Sequence, residues 1–472
     1  MEQRELGSDA SCGDAEAGAG EREQPVGRVG DAKGGATIRP SEQCKTRSER
    51  RNRHSANAAG GIRAIVECMP STLDELYRDL HSHPELSFDE HRTAAIVAER
   101  MRDAGLAVTT GIAGTGVVAV LENGDGATVL LRADMDALPV LEDTGLDYAS
   151  TARGVDPDGT DVPVMHACGH DMHTTCLIGA VEELVASRDE WSGTLIALFQ
   201  PAEEREGGAR AMIVDGLFDR IPHPDVVLGQ HLNPFPAGLV GVHAGPFMAA
   251  VNTLHVKMFG RGGHGSRPQK TIDPVVMAAA TVMRLQTVVA REVAPADTAV
   301  VTVGTLHAGT KNNIIPSEAT LGLSIRSFDP VVGERLDASV RRIVRAESDA
   351  SGATRAPEFR SGEVYPVTVN EPVAAGRVTD ALRRRFGAPR VIDPGVLMGS
   401  EDVGMLATAA GVPLVYWLLG CVDPGTYDRA AAAGTLDTDI PSNHSAQFAP
   451  VIEPTLTTGV AALVAVAREW LG

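Results

Sequence analysis

The sequence predicts an α/β protein: a main domain with a central mixed sheet flanked by helices, interrupted by an inserted ferredoxin-like α+β unit. Three observations carry this. Three strand-like segments finish in acidic or histidine residues, at Asp134-Met135-Asp136, Gln200 to Glu204 and Gln230-His231. Open α/β sheets place their sites at such strand ends. Near Ala250 the pattern changes to a compact β-α-β-β-α unit of roughly 110 residues, and after Val364 the first pattern resumes. Finally, the 472 residues are 43% hydrophobic but only 4% aromatic. Abundant Ala, Gly and Val suit close helix–sheet packing, and the length allows two or three cores.

Taken in order, residues 1–60 are rich in Gly, Ala, Glu and Arg and poor in large apolar side chains, so disorder is expected there. The basic run of Arg47, Arg50, Arg51 and Arg53 lacks the apolar stretch of a secretory signal. A start at Met69 would leave residues 1–68 outside the folded protein. From Ser71 the chain is periodic: Ser71 with Asp74 marks a helix start, and Leu73, Leu76, Tyr77 and Leu80 form one apolar face. A second helix spans Asp89–Ala104 and stops at Gly105. Strands Gly116–Glu122 and Ala127–Arg132 flank the turn signal Asn123-Gly124 and read as neighbours. Strands Gly193–Phe199 and Val226–Gly229 follow. The insert reads as strand Asn252–Phe259, helix Ile272–Ala290, strands Thr298–His307 and Glu318–Phe328, and helix Pro330–Ala346. Helices Pro372–Phe386 and Ser400–Ala410, strand Val412–Leu418 and helix Val451–Leu471 complete the main domain. Its two parts are therefore 69–249 and 366–472, around an insert at 250–365.

Bulk properties exclude several classes. A net charge of −20 argues against nucleic-acid or anionic-membrane partners. No run of about 18 apolar residues exists, so no membrane span is expected. The six cysteines (Cys12, Cys44, Cys68, Cys168, Cys176, Cys421) show no paired spacing, which points to a reducing cytoplasm rather than a disulfide framework.

The chemistry concentrates in Val164–Thr175, V-M-H-A-C-G-H-D-M-H-T-T, with His166, Cys168, His170, Asp171 and His173. Imidazole and thiolate hold borderline transition metals, and Gly169 lets Cys168 and His170 reach one site from a bent segment. Apolar and small residues follow, so the cluster sits where a loop enters a helix. Glu203 and Glu204 are adjacent at a strand end, where one can turn to a metal and the other to a water on it, as a general base. His231 ends a strand and His444 lies in a polar loop; each gains weight only from the others. Asp134 and Asp136 close a buried-looking strand, with Asp136 the better candidate to orient a ligand histidine than to bind metal itself. In the insert, Gly260 to Pro268 lacks the Gly-Lys-Ser/Thr ending of a phosphate loop and presents His264. Asn313, before Ile314-Ile315-Pro316, is a polar candidate there. Arg326 either clamps a carboxylate or is a surface strand charge.

The ordered set R-A-D-M-D-A-L-P, H-A-C-G-H-D-M-H, F-Q-P-A-E-E, G-G-H-G-S, N-I-I-P, G-S-E-D and N-H-S, from about Leu73 to the C-terminus, resembles the aminoacylase-like dinuclear metallopeptidases. The branch it is most similar to is that of hippurate hydrolases and auxin-conjugate amidohydrolases. The resemblance implies a catalytic α/β domain, and an inserted lid through which the chain forms a homodimer or higher homo-oligomer. It implies two divalent ions, with Cys168 bridging and His170, Glu204, His231 and His444 as further ligands. Glu203 would be the base, with Asp136 beside it. His264 would stabilise the oxyanion, often from the neighbouring subunit, and Asn313 and Arg326 would bind substrate. Asp134 stands where other branches place a histidine ligand, and a thiolate replaces the usual bridging carboxylate. Manganese, zinc, cobalt and nickel are all compatible, and softness favours zinc. The implied reaction is hydrolysis of N-acyl or N-aroyl amino acids, including hippurate-like, N-acetyl and indole-acyl conjugates. A dipeptidase or carboxypeptidase is the rival, and a dead-site metal-binding protein the more distant one.

Overall fold

The computed structural model describes residues 71–205 and 207–472. The expectations for residues 1–68, with Cys12, Cys44 and Cys68, lie outside the described residues. Helix α1 (Leu73–Ser82) is capped by Thr72, whose hydroxyl accepts the Glu75 N–H while Glu75 reaches back. The cap is thus Thr72 with Glu75, not Ser71 with Asp74. A hydroxyl and a carboxylate three positions apart satisfy two otherwise unpaired N–H groups at once. Next come α2 (His91–Asp103), β1 (Ala107–Ile112), β2 (Gly116–Asn123), β3 (Thr128–Asp134), α3 (His170–Ala186), β4 (Gly193–Gln200), β5 (Val226–Pro236) and β6 (Val240–Gly241).

The insert contains β7 (Ala250–Phe259), α4 (Pro274–Glu292), β8 (Ala299–Ala308), β9 (Glu318–Ser327), α5 (Pro330–Ala350) and β10 (Glu358–Tyr365). Its sheet is antiparallel in the order β8-β9-β7-β10. Counted within the insert this is 2-3-1-4, the ferredoxin-like arrangement. The closing strand β10 has no sequence signature, because its burial is irregular, with no period of two to find. Leu254, Val256 and Met258 of β7 meet α4 and α5 in a separate core.

The chain then returns through α6 (Pro372–Phe386), β11 (Val391–Ile392), β12 (Leu414–Val422) and α7 (Ile452–Leu471). The main sheet runs β1-β2-β4-β3-β5-β12-β6-β11 and is mixed. One expectation fails here: Asn123-Gly124 does not close a hairpin. β4 lies between β2 and β3, antiparallel to the first and parallel to the second. β3 is an apolar run needing cover on both faces, so it sits centrally among parallel neighbours, and the local turn signal does not choose its partner. Val129, Leu131 and Ala133 face the helices α1, α2, α3 and α7, while Leu130 faces the opposite core beneath Gly208–Val214 and Gly404–Ala410. The last of these begins four residues after the expected Ser400. Residues 400–403 form a loop whose carboxylates turn inward, so helical periodicity starts late. The parallel strands β3, β4 and β5 end on one side of the sheet, and the polar residues gather there.

Candidate metal centre

The loop before α3 supplies the first two groups. Gly169 is the N-cap of α3 at φ +84°, a left-handed conformation open to glycine, and a Cβ there would lie 2.5 Å from Leu232 Cδ1. This bend turns Cys168 and His170 toward one space. His170 donates Nδ1–H to Asp136 at 3.2 Å, which leaves Nε2 facing Glu204 Oε1 at 3.8 Å. Both of those atoms are buried without a hydrogen-bond partner. On β5, His231 Nδ1 bonds the Leu232 carbonyl at 2.6 Å and its Nε2 lies 3.4 Å from the Cys168 sulfur. His444 enters from the opposite loop at φ +68°, anchored by its N–H on the Ala167 carbonyl, and places Nε2 3.1 Å from Glu204 Oε1. Two overlapping clusters result, Cys168–His170–His231 and Cys168–Glu204–His444, with the sulfur common to both.

The donor chemistry fits divalent ions. Burial disfavours an imidazolium at His170, yet Asp134, Asp136 and Glu204 raise its pKa to about 10. A field that strong for a proton is equally attractive to a metal cation. Burial, then the Glu204, Glu203 and Asp134 carboxylates, push the Cys168 thiol well up, so a cation is what would make it a thiolate. Burial and the nearby His173 hold His231 well below its ordinary value, hence neutral with a ligand lone pair. His173 itself is engaged at both nitrogens, Nδ1 with Asp134 at 2.6 Å and Nε2 accepting the Leu232 N–H at 2.8 Å. It fixes Asp134 rather than offering a ligand atom.

Asp136 is the organiser of the opposite wall. Besides His170 it accepts the Ser87 hydroxyl at 2.6 Å and the backbone N–H groups of Glu203 and Glu204, each at 3.1 Å. Glu203 is 6% exposed, and burial followed by the charges of Glu401, Glu204 and Asp402 raises its pKa well above the usual carboxylate range. Behind it, wholly buried Arg132 bonds Asp134 at 2.6 Å, Glu401 at 2.8 Å, Asp402 at 3.2 Å and Gln200 at 2.9 Å. Arg132, Glu401 and Asp402 stand within the motifs, but nothing in the sequence alone assigns them a part. Their contacts cross some 270 residues, and only the motif strings R-A-D and G-S-E-D could have marked them.

These side chains floor a cleft of about 550 Å³, walled by Leu138, Met248, Leu397 and Leu418 and by the underside of the insert. Arg326 lines it, donating to the Met398 carbonyl at 2.6 Å and to Ser400 Oγ at 3.2 Å. Cys168, Glu203, Glu204, His231 and His444 line it as well. His264 and Asn313 do not. They sit together on the far part of the insert, where Gly265 N–H bonds the Asn313 carbonyl at 2.9 Å and the exposed His264 Nδ1 accepts the Ser266 N–H.

A profile of the peptidase family M20/M25/M40 matches residues 130–438. Thermostable carboxypeptidase 1 of Saccharolobus solfataricus is 35% identical over 79% of this chain and 89% of its own length. The hippurate hydrolase of Campylobacter jejuni is 37% identical over 70% of this chain and 84% of its own. Among solved structures, a dinuclear metal-binding peptidase of the M20 family from Bacillus subtilis superposes with a TM-score of 0.64 at 27% identity, over 84% of this chain and 98% of that one. With motifs, fold and relatives in agreement, the chain belongs to the peptidase family M20/M25/M40.

Proposed function

We propose that the protein is a metal-dependent amidohydrolase releasing an amino acid from N-acyl or N-aroyl amino acids such as hippurate, N-acetyl or indole-acyl conjugates. The observation that carries this is the convergence of His170 Nε2 and Glu204 Oε1, both buried without a hydrogen bond, on a space shared with Cys168, His231 and His444. Two divalent ions held by these five side chains would polarise the scissile carbonyl and acidify water. Glu203 takes the proton of the attacking water and delivers it to the leaving amine, a task suited to a carboxyl whose affinity for protons is raised. Asp136 keeps the His170 ring in the tautomer that presents Nε2. Arg326, half-buried in the cleft, clamps the substrate carboxylate. The apolar wall takes the acyl group.

His264 and Asn313 lie off the cleft of their own chain, which supports their acting in a second copy's site, His264 on the oxyanion. The edge strand β8 leaves Val300 and Leu306 exposed, a surface able to pair with its counterpart in a homodimer. On this reading residues 250–365 are lid and dimerisation unit, between catalytic parts 69–249 and 366–472. Among the described residues no helix is long and apolar enough to cross a membrane. A reducing cytoplasm would keep Cys168 available for metal. The mixed sulfur, nitrogen and oxygen donors favour zinc by softness, with manganese the first comparison and cobalt and nickel after it.

The test is amino-acid release from hippurate, N-acetyl amino acids, indole-acetyl conjugates and plain dipeptides, by chelator-treated protein with and without zinc or manganese. Metal-dependent cleavage of one acyl class is expected. Preference for dipeptides would favour a carboxypeptidase-like activity, the activity named for the Saccharolobus solfataricus relative. Silence across the panel with two ions bound would sink the reading.

A further inference from the structure

The segment carrying Glu203 and Glu204 is held by its backbone, and one of its holders has no part in the reaction described above. Three consecutive N–H groups point into a pair of buried carboxylates. Asp136 takes those of Glu203 and Glu204, each at 3.1 Å, and Glu90 Oε1 takes that of Ala202 at 2.8 Å. Glu90 lies just before α2 and is fully buried. The same oxygen accepts the Phe88 N–H at 2.9 Å, and its other oxygen accepts the Thr115 hydroxyl. Every described partner of this carboxylate is therefore a donor. Ala202 itself stands at φ +50°, a left-handed conformation that strains a residue with a Cβ. Something must hold it there. The Ala202 carbonyl accepts the Gly208 N–H at 2.8 Å, so Glu90 grips the turn from one side and the next helix grips it from the other.

We infer that Glu90 is a positioning residue: by fixing the Ala202 N–H it aims the Glu203 carboxyl into the cleft and Glu204 at His170 and His444. The inference rests on the reading of Glu203 as base and Glu204 as metal ligand. Losing a bond of this kind behind a metal centre typically lowers metal affinity or activity about 10- to 100-fold.

The experiment compares Glu90→Met, Glu90→Asp and Glu90→Gln in the full chain. Glu90→Met fills the space without an acceptor. Glu90→Asp keeps the charge but withdraws the oxygen by one methylene. Both are expected to lose about 10- to 100-fold in kcat at saturating metal, with KM within about 3-fold, and to bind zinc about 10-fold more weakly in chelator competition. Glu90→Gln keeps an oxygen for Ala202, and Thr115 can turn its hydroxyl to accept, so it should stay within about 3-fold of the parent. Adding Ala202→Gly to Glu90→Met should recover several-fold, because glycine holds the left-handed turn unaided. If Glu90→Met does not fold, Glu90→Asp carries the comparison. Parent kcat and zinc affinity per folded molecule in Glu90→Asp would overturn the inference, as would losses that track only the unfolded fraction. Glu203→Ala separates the two failures. If that variant keeps turning over, the base assignment has failed, while zinc affinity still judges the grip of Glu90 on Glu204.

Discussion

At the scale of single residues, the side chain with the sharpest expected effect is Glu203. It donates nothing to the fold beyond its backbone, which Asp136 and Tyr365 hold, so Glu203→Gln should leave structure and metal content intact. Proton transfer by a placed carboxylate is worth about 10²- to 10⁴-fold, and kcat should fall by that much with two ions still bound per chain. Metal analysis beside steady-state kinetics decides it, and an active Glu203→Gln enzyme refutes the assignment. Gly169→Ala should do the reverse, damaging the centre through the backbone. The added Cβ meets both a positive φ and Leu232, so metal affinity falls together with thermal stability. A variant that binds zinc as the parent does would show that the bend is not what brings Cys168 and His170 together. The ligand candidates could be read from sequence because thiol, imidazole and carboxylate recur in one ordered set of motifs, at the start of a helix, after and within strands and in a loop. Glu90 could not, because a buried acid that accepts a backbone N–H 112 positions away looks in sequence like any helix-start glutamate.

At the scale of elements, α1 is fastened to α3 by a buried ion cluster away from the cleft. His81 bonds Asp171 at 2.7 Å and Glu142 at 3.1 Å, and all three are buried. Burial works against the His81 imidazolium, but these two carboxylates raise its pKa to about 9. The sign follows from linkage. An unfolded histidine titrates near 6.5, so the stabilisation is complete below about pH 6.5 and is lost as pH rises through about 9. The full effect is on the order of 3 kcal/mol. Parent and His81→Gln should therefore differ most near pH 6 in urea midpoints, and the gap should narrow by pH 9.5. A gap independent of pH would show His81 to be neutral throughout. The fastening is needed because α3 is buried on nearly every side, with Gly179 in contact with Leu73 of α1 and Val460 of α7. Such a helix has no amphipathic stripe, yet its length made it legible. Strand partners were less legible. Gly124 only bends the chain between β2 and β3 without pairing them, since sheet order is set by which strands need cover on both faces, and that is decided by distant chain.

At the scale of the whole molecule, the cleft gathers the candidate metal ligands, the proposed base Glu203 and Arg326, but the two remaining polar candidates face elsewhere. The His264 side chain is exposed, and its Nδ1 is bonded to Ser266 of its own turn. The insert carrying it was legible through its change of pattern at Ala250, whereas the place of His264 off the cleft was not, because one chain's periodicity does not say which way an exposed turn faces. A site built from two chains makes a prediction that a self-contained one does not. Glu203→Gln and His264→Ala chains should each form inactive homodimers. Co-expressed, half of the dimers are mixed, and each mixed dimer has one cleft with an intact base and an intact histidine from its partner. About a quarter of the parent activity should then return, by the combinatorics of a two-fold dimer. The mixed dimers would be isolated by two different affinity tags, and their size checked by sedimentation. Leu306→Arg on the edge of β8 should abolish the recovery by separating the copies, without displacing any group in the cleft. If the isolated mixed dimers are as inactive as their parents, His264 acts within its own chain or not at all, and the insert must close by a movement of its own to bring it to the metal.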